Sequence, residues 1–364
     1  MAAIVRVDVA FRPCGRQAQV MVRVVVTGAA SSLGRQVARL LAQRDDVDDV
    51  VSFDLRSEVG IEPIDLVTSD LVAAFEGADA VFHLASAFGP AVEGPEVDAA
   101  TDVTMAKRVL AAADKLGIEH VVLLSSATVY GPWANNPVPL TEDAPLRPHP
   151  ELAYAVQLAE VERMAAEWSA DHPAATVARL RPAPVVADGR LGWLARALDA
   201  ASDVPTAEDT PAQYLHLDDL AAAVIAAWNA GLDGPVNVAP AGWLTPTQRR
   251  ALDPVPRLRL PEPVALKIAS WRWRLHLAPT PPGILSYVRH PWVVANDRLV
   301  GAGWEETSSN EEAYVLGHEA SAIESISPQR RQELALGIAG AVGVAAAVTA
   351  GALIRRRRRR RRSA

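Results

Sequence analysis

Residues 22–37 read Val22-Arg23-Val24-Val25-Val26-Thr27-Gly28-Ala29-Ala30-Ser31-Ser32-Leu33-Gly34-Arg35-Gln36-Val37, and this stretch decides the fold. Val22–Thr27 is a run of β-branched residues, the pattern of a strand buried on both faces. From Leu33 to Gln43 the spacing turns helical, with Leu33, Val37, Leu40 and Leu41 on one side. Between them lies a turn of small residues. Backbone N–H groups there can approach a phosphate closely, and the helix start adds a partial positive charge. Two glycines are a weak signal alone. Here they follow a strand and open a helix, which is the context this use requires.

The alternation continues. Val50–Asp54 reads as a strand, Leu71–Phe75 as a short helix and Ala80–Ala85 as a strand. Thr104–Leu116 follows as a helix, His120–Ser125 as a strand, Leu152–Ser169 as a long helix and Thr176–Arg181 as a strand. Strands alternating with helices of ten or more residues pair in parallel through right-handed crossovers. The expected fold is a doubly wound α/β sheet, which binds nucleotides at the carboxyl ends of its strands. Asp54 closes the second strand, twenty residues past Gly34. A carboxylate there accepts hydrogen bonds from adenosine ribose hydroxyls and repels a 2′-phosphate, which favours NAD over NADP. Arg56, two residues on, softens that preference.

Composition sets outer bounds. With 50% hydrophobic and 22% charged residues among 364, the chain has the make-up of a globular protein. Cys14 is the only cysteine, which excludes a disulfide framework and a cysteine-based zinc site. The eight histidines show no metal-ligand spacing, so no metal is expected. The net charge of −7 conceals an asymmetry, because Arg355–Arg362 is an unbroken arginine run. With those eight set aside, 28 basic residues face 43 acidic ones, and the acidic body argues against specific nucleic-acid binding.

Further segments fit one family. Asp65-Leu66, His83-Leu84-Ala85-Ser86, Ser125-Ser126-Ala127-Thr128-Val129-Tyr130-Gly131, Tyr154, Arg181-Pro182, His216-Leu217-Asp218-Asp219-Leu220 and Asn296-Asp297-Arg298-Leu299 with Gly303-Trp304 occur in order. Together with the glycine turn they resemble the extended short-chain dehydrogenase/reductases, the NAD-dependent epimerase/dehydratase group, over roughly Val22 to Trp304. The resemblance implies a Rossmann-type domain with a smaller C-terminal substrate portion. It implies NAD held by Gly28, Ser31, Ser32, Leu33, Gly34, Asp54, Arg56, Asp65, Leu66, Leu84, Ala85, Ser86 and Tyr154. It also implies Ser126, Thr128 and Tyr154 as catalytic residues. The implied activity is oxidoreductase or epimerase-dehydratase chemistry on a hydroxyl or carbonyl compound, such as a nucleotide sugar or a sterol-like alcohol.

Three positions depart from the family pattern. Its middle turn glycine is Ser31, and the asparagine of its next helix is Asp102. Its lysine, four residues after the tyrosine, is Leu158, and no Tyr-x-x-x-Lys occurs anywhere in the chain. In the family that lysine holds the nicotinamide ribose and lowers the tyrosine pKa. A tyrosine near pKa ~10 is ionised about one part in a thousand at pH 7. A close cation lowers its pKa by roughly 1–3 units, so losing it costs ten- to a thousandfold in phenolate. A catalytically impaired dinucleotide-binding sensor or scaffold at the membrane is therefore the rival to an active enzyme.

The expected organisation has five parts. Residues 1–20 are a disordered N-terminal extension, with Met21 the natural start. Residues 21–182 form the NAD-binding domain and 183–330 the substrate-binding portion. Within the latter, 264–277 fits a helix better than a strand. Residues 334–354 form a membrane-associated or transmembrane helix, followed by the arginine-rich tail 355–364. Leu334–Ile354 carries no charge and is long enough to span a bilayer. Its small residues Ala339, Gly343, Ala347 and Gly351 admit close helix pairing and hence a homodimer. The arginines suit anionic lipid headgroups. A cytoplasmic body associated with the membrane through this segment is expected, with spanning and shallow insertion both open.

Overall fold

The computed structural model describes residues 22–87, 100–202, 210–252, 267 and 283–318. The strands are β1 (Val22–Thr27), β2 (Val47–Asp54), β3 (Glu62–Pro63), β4 (Ala80–His83) and β5 (His120–Leu124). They continue with β6 (Thr176–Pro182), β7 (Val185–Ala187), β8 (Arg190–Leu191), β9 (Leu215–His216) and β10 (Gly234–Val238). The helices begin with α1 (Ser32–Ala42), α2 (Leu71–Ala74), α3 (Thr101–Leu116), α4 (Ala153–Asp171) and α5 (Trp193–Ser202). After them come α6 (Leu217–Asn229), α7 (Pro246–Leu252), α8 (Ile284–Tyr287), α9 (Asp297–Gly301) and α10 (Asn310–His318).

Seven strands form one sheet in the order β10-β6-β5-β4-β1-β2-β3, every pair parallel. β1 lies between β2 and β4, with Val24 opposite Val50 on one side and Ala80 on the other. Its side chains alternate between two cores, as a strand's period of two dictates. Val24 and Val26 join Val37, Leu220 and Val224 on the face covered by α1 and α6. Val25 joins Val81, Val109 and Val161 on the face covered by α3 and α4. This is the doubly wound Rossmann-type architecture, and the first sharp change of strand order falls beside β1.

Element boundaries moved by a few residues for local reasons. β2 starts at Val47 rather than Val50, because its polar start pairs with β1 and Asp49 meets the Arg23 guanidinium at 3.4 Å. α3 starts at Thr101, three residues early, with Asp102 buried in its first turn. β4 stops at His83, where the chain turns across Gly28. The main sheet also takes β10 from beyond residue 183, paired along β6 from Ala178 to Pro182.

A second, three-stranded sheet has the order β8-β7-β9. Its small core includes Val186, Ala195, Tyr214, Leu244 and Tyr314. The His216-Leu217-Asp218-Asp219 segment serves this packing. His216 caps α6. Buried Asp219 accepts from the amides of Thr307 (2.8 Å) and Ser308 (3.1 Å), tying down the chain after Trp304. Among the described residues no helix is long and apolar enough to cross a membrane. The expected N-terminal extension, the 264–277 helix (Lys267 apart), the apolar segment 334–354 and the arginine tail lie outside the described residues.

Candidate active site

The glycine turn is shaped by backbone contacts. Gly28 has φ +74°, and a Cβ there would sit 2.6 Å from the Ala85 nitrogen. A Cβ on Gly34 would sit 2.2 Å from the Gly28 oxygen. Both glycines are therefore needed for β1, α1 and the 84–87 segment to meet this closely. Ser31, in the family's glycine position, is the N-cap of α1, and its Oγ accepts from the Gly34 amide at 2.9 Å. The next two amides, of Ser32 and Leu33, donate to no acceptor among the described residues. They are the free donors of the helix start and face the open end of the sheet.

Asp54 ends β2 beside this turn. Its Oδ2 accepts from the Ala30 amide and its Oδ1 from the Arg56 amide, each at 3.0 Å. The Arg56 guanidinium donates to the Ala30 oxygen at 2.8 Å and lies 3.5 Å from Asp54 Oδ1. Arg56 thus covers the acidic strand end instead of standing free for a phosphate. Asp65 is occupied locally. Its carboxylate accepts from the Thr68 hydroxyl and the Val67 amide, each at 2.8 Å, and those bonds hold its pKa below the usual value. Arg108 from α3 donates to the Leu66 oxygen at 2.9 Å and to the Ser69 oxygen, fixing the loop.

The chemical end lies across β4 and β5. Ser126 follows β5 and caps a short 3-10 turn, Ala127–Tyr130. Its Oγ accepts from the Thr128 amide at 3.2 Å and from the Thr128 hydroxyl at 3.0 Å. Tyr154, in the first turn of α4, shares a hydrogen bond with Ser126. The Tyr154 ring meets Trp193 edge to face, centroids 4.7 Å apart. Burial raises the Tyr154 pKa above its ordinary value; the Ser126 bond opposes this and the nearby Asp102 carboxylate adds to it. Leu158, one turn along α4, is 4% exposed and supplies no charge.

Asp102 takes a role the sequence did not disclose. Its oxygens accept from the Ala87 amide (2.6 Å) and the Ser86 hydroxyl (3.1 Å), so it holds the 84–87 segment against α3. Burial raises its own pKa, and those two bonds oppose the rise. Gln157 accepts from the Asp102 amide at 3.1 Å, while its buried Nε2 has no partner among the described residues. The Arg181-Pro182 segment is structural. Arg181 pairs in the core with Glu162, which also accepts from Ser125 at 2.5 Å. Tyr130 donates to Asn237 at 2.8 Å, and burial pushes its pKa up to about 12. That leaves Tyr154 as the phenol beside Ser126.

The fold brings Gly28, Ser31, Ser32, Leu33, Gly34, Asp54 and Arg56 into one group, and Ser126, Thr128 and Tyr154 into another. Leu84, Ala85 and Ser86 run past the turn from β4. Asp65 and Leu66 sit in the neighbouring Arg108-held loop. Arg190 carries no signal in the sequence that marks it for this site. From β8 it reaches the Ser32 Oγ at 3.3 Å, and it has no carboxylate partner among the described residues. Among the described residues, two helix-start amides without acceptors, a guanidinium without a carboxylate and the acidic strand end fit a dinucleotide with an unphosphorylated adenosine ribose.

Comparison with known proteins bears on this arrangement. The model of the NAD dependent epimerase/dehydratase family matches residues 24–239. An L-arabinose 1-dehydrogenase (NAD(P)(+)) of Haloferax volcanii is 29% identical over 213 residues, covering 54% of this chain and 76% of that protein. An uncharacterized protein of Mycobacterium tuberculosis is 29% identical over 248 residues, covering 63% of this chain and 65% of that protein. A solved UDP-galactose 4-epimerase has a TM-score of 0.58 at 23% identity, covering 83% of this chain and 99% of its own. Thermus thermophilus UDP-glucose 4-epimerase, in complex with NAD, has a TM-score of 0.59 at 20% identity, covering 82% and 98%. At these identities the solved structures share the fold.

Proposed function

Because the chain belongs to the NAD-dependent epimerase/dehydratase family, we propose that it is an oxidoreductase interconverting an alcohol and a carbonyl compound with NAD. The observation that carries this reading is the Tyr154–Ser126 hydrogen bond at the open end of the sheet, beside the glycine turn. When bound, NAD supplies the hydride acceptor. Ser32, Leu33 and Arg190 hold its diphosphate, and Asp54 takes the adenosine ribose hydroxyls. Ser126, oriented by Thr128, hydrogen-bonds the substrate oxygen, and Tyr154 Oη exchanges the proton with it. Asp102 keeps the 84–87 segment in place along the cofactor.

With the phenol raised and no cation in place of Leu158, Tyr154 is protonated at neutral pH. It is ready as the acid for carbonyl reduction and scarce as the base for alcohol oxidation. Oxidation is expected to accelerate about tenfold per pH unit through the neutral range, as the phenolate fraction does. Reduction is expected to stay flat there. A plateau of the oxidation rate near pH 7 would mean that another group takes the proton. Leu158 also favours a second reading, a dinucleotide-binding protein without turnover. Calorimetry followed by an NADH assay across alcohols and carbonyl compounds separates them: NAD binding without turnover selects the second, and no NAD binding refutes both.

NAD is expected to bind at least about tenfold more tightly than NADP, and Asp54→Asn to narrow that gap, both read by calorimetry. NADP binding more tightly than NAD would remove Asp54 from the ribose. Arg190→Gln is expected to weaken NAD binding by roughly three- to tenfold, modest because the guanidinium is exposed. An unchanged Kd would leave the diphosphate to the helix start alone.

A further inference from the structure

A cleft of about 460 Å³, its mouth included, opens beyond the catalytic end of the sheet. It begins at Ala127, next to Ser126, and at Ala183 just past β6. Tyr287 lines it and donates to the Thr128 oxygen at 2.7 Å, which fastens this wall to the catalytic turn. α5 contributes Leu198 to the wall and Trp193 to the Tyr154 contact, so one helix joins cleft and phenol. Val288 and Trp292 extend the apolar surface.

The polar side chains of the wall are engaged within it. The Thr210 hydroxyl donates to the Val288 oxygen at 3.0 Å. Gln213 donates to the Gly242 and Val294 oxygens and accepts from the Val294 amide. These groups brace the wall and leave few donors for a ligand. Arg249, half-buried on α7, is different: its guanidinium has no hydrogen bond or ion pair among the described residues. The described wall therefore combines apolar surface with one unpaired cation.

A nucleoside diphosphate sugar brings two phosphate groups, a base and several hydroxyls. On this wall its polar groups would lose water without finding partners, which costs affinity. An apolar body gains from covering this surface, and one anion completes the half-buried guanidinium. We propose that the substrate is an apolar secondary alcohol, or the matching ketone, carrying a single carboxylate that pairs with Arg249. This rests on the hydride-transfer reading above. In the oxidation, the carbinol C–H bond breaks with its electron pair and the hydride passes to NAD⁺. The hydroxyl proton leaves through Tyr154 Oη, and ketone, NADH and a proton result.

The test uses the full chain with NAD and the fluorophore 8-anilinonaphthalene-1-sulfonate, an apolar body with one negative charge. Its fluorescence is expected to rise saturably, decanoate to displace it, and UDP-glucose to leave it in place. Arg249→Gln is expected to weaken both probes by about tenfold, and Arg250→Gln, off the cleft wall, to leave them unchanged. In the NADH assay, cholate or 12-hydroxystearate is expected to be oxidised in preference to UDP-glucose. Displacement by UDP-glucose, preferential oxidation of UDP-glucose, or an Arg249→Gln variant with unchanged affinity overturns the proposal. Intact NAD binding without displacement by decanoate overturns the substrate class alone. Absence of NAD binding overturns the hydride-transfer reading, and the proposal with it.

Discussion

Leu158→Lys is expected to raise the rate of alcohol oxidation at pH 7 by about ten- to a thousandfold. The phenol of Tyr154 is enclosed, its pKa is raised by burial, and the Asp102 carboxylate raises it further. A cation one helical turn away reverses the sign of the local field, and opposite charges at 4–6 Å move a pKa by roughly 1–3 units. The lysine stem takes the leucine's place against the core, and the Asp102 carboxylate helps the new ammonium remain charged. A readout free of substrate exists. The alkaline difference absorbance of Leu158→Lys against the double variant with Tyr154→Phe reports the Tyr154 titration, which is expected to fall by the same 1–3 units. Thermal melting and NAD calorimetry establish that the variant is folded. A folded variant with a lowered Tyr154 titration and an unchanged oxidation rate would show that phenolate formation does not limit turnover.

Tyr154→Phe is expected to lower kcat by about 10²- to 10⁴-fold, the usual contribution of one positioned acid or base. The ring persists, so the edge-to-face contact with Trp193 survives and NAD affinity is expected to change by less than about twofold. The remaining rate is expected to lose its tenfold-per-unit rise with pH, because the group that produced it is gone. Equal kcat in the variant and the native chain, with the pH slope intact, would move the proton transfer away from Tyr154. Ser126→Ala provides a graded comparison: it removes the hydrogen bond to the phenol and the one to the substrate oxygen, but leaves the acid in place.

The parts of the candidate site legible in the sequence are those set by local chain chemistry. The valine run, the small-residue turn and the helical spacing after it are neighbours along the chain, and they became β1, the turn and α1 within a residue. Asp54 was legible because a strand end has a fixed place in a parallel sheet. Ser126 and Tyr154 were legible through resemblance; periodicity alone says nothing of their meeting. Arg190 was not legible: it lies 158 residues from Ser32, on a two-residue strand with no periodic signal. β10 was missed for a related reason. Its five residues, Gly234–Val238, include a glycine, a proline and an asparagine, and only pairing with β6 makes them a strand.

By itself the sequence determined the alternating α/β order, the small-residue turn, the acidic strand end and the leucine, not lysine, four residues after Tyr154. It also set the bounds of composition: one cysteine and an acidic body. Only the tertiary structure decided what surrounds the phenol in the lysine's absence. Leu158 is buried, Asp102 turns its charge toward the 84–87 segment within reach of Tyr154, and Trp193 closes the ring's edge. The reason is physical. Residue type sets a pKa's ordinary value, whereas its shift depends on desolvation and on distances to charges, both fixed by how remote segments pack. The same holds for Arg249. Its identity is written in the sequence, but its place on an apolar wall, with no hydrogen-bond or ion-pair partner among the described residues, exists only once α7, α8 and the end of β6 have come together.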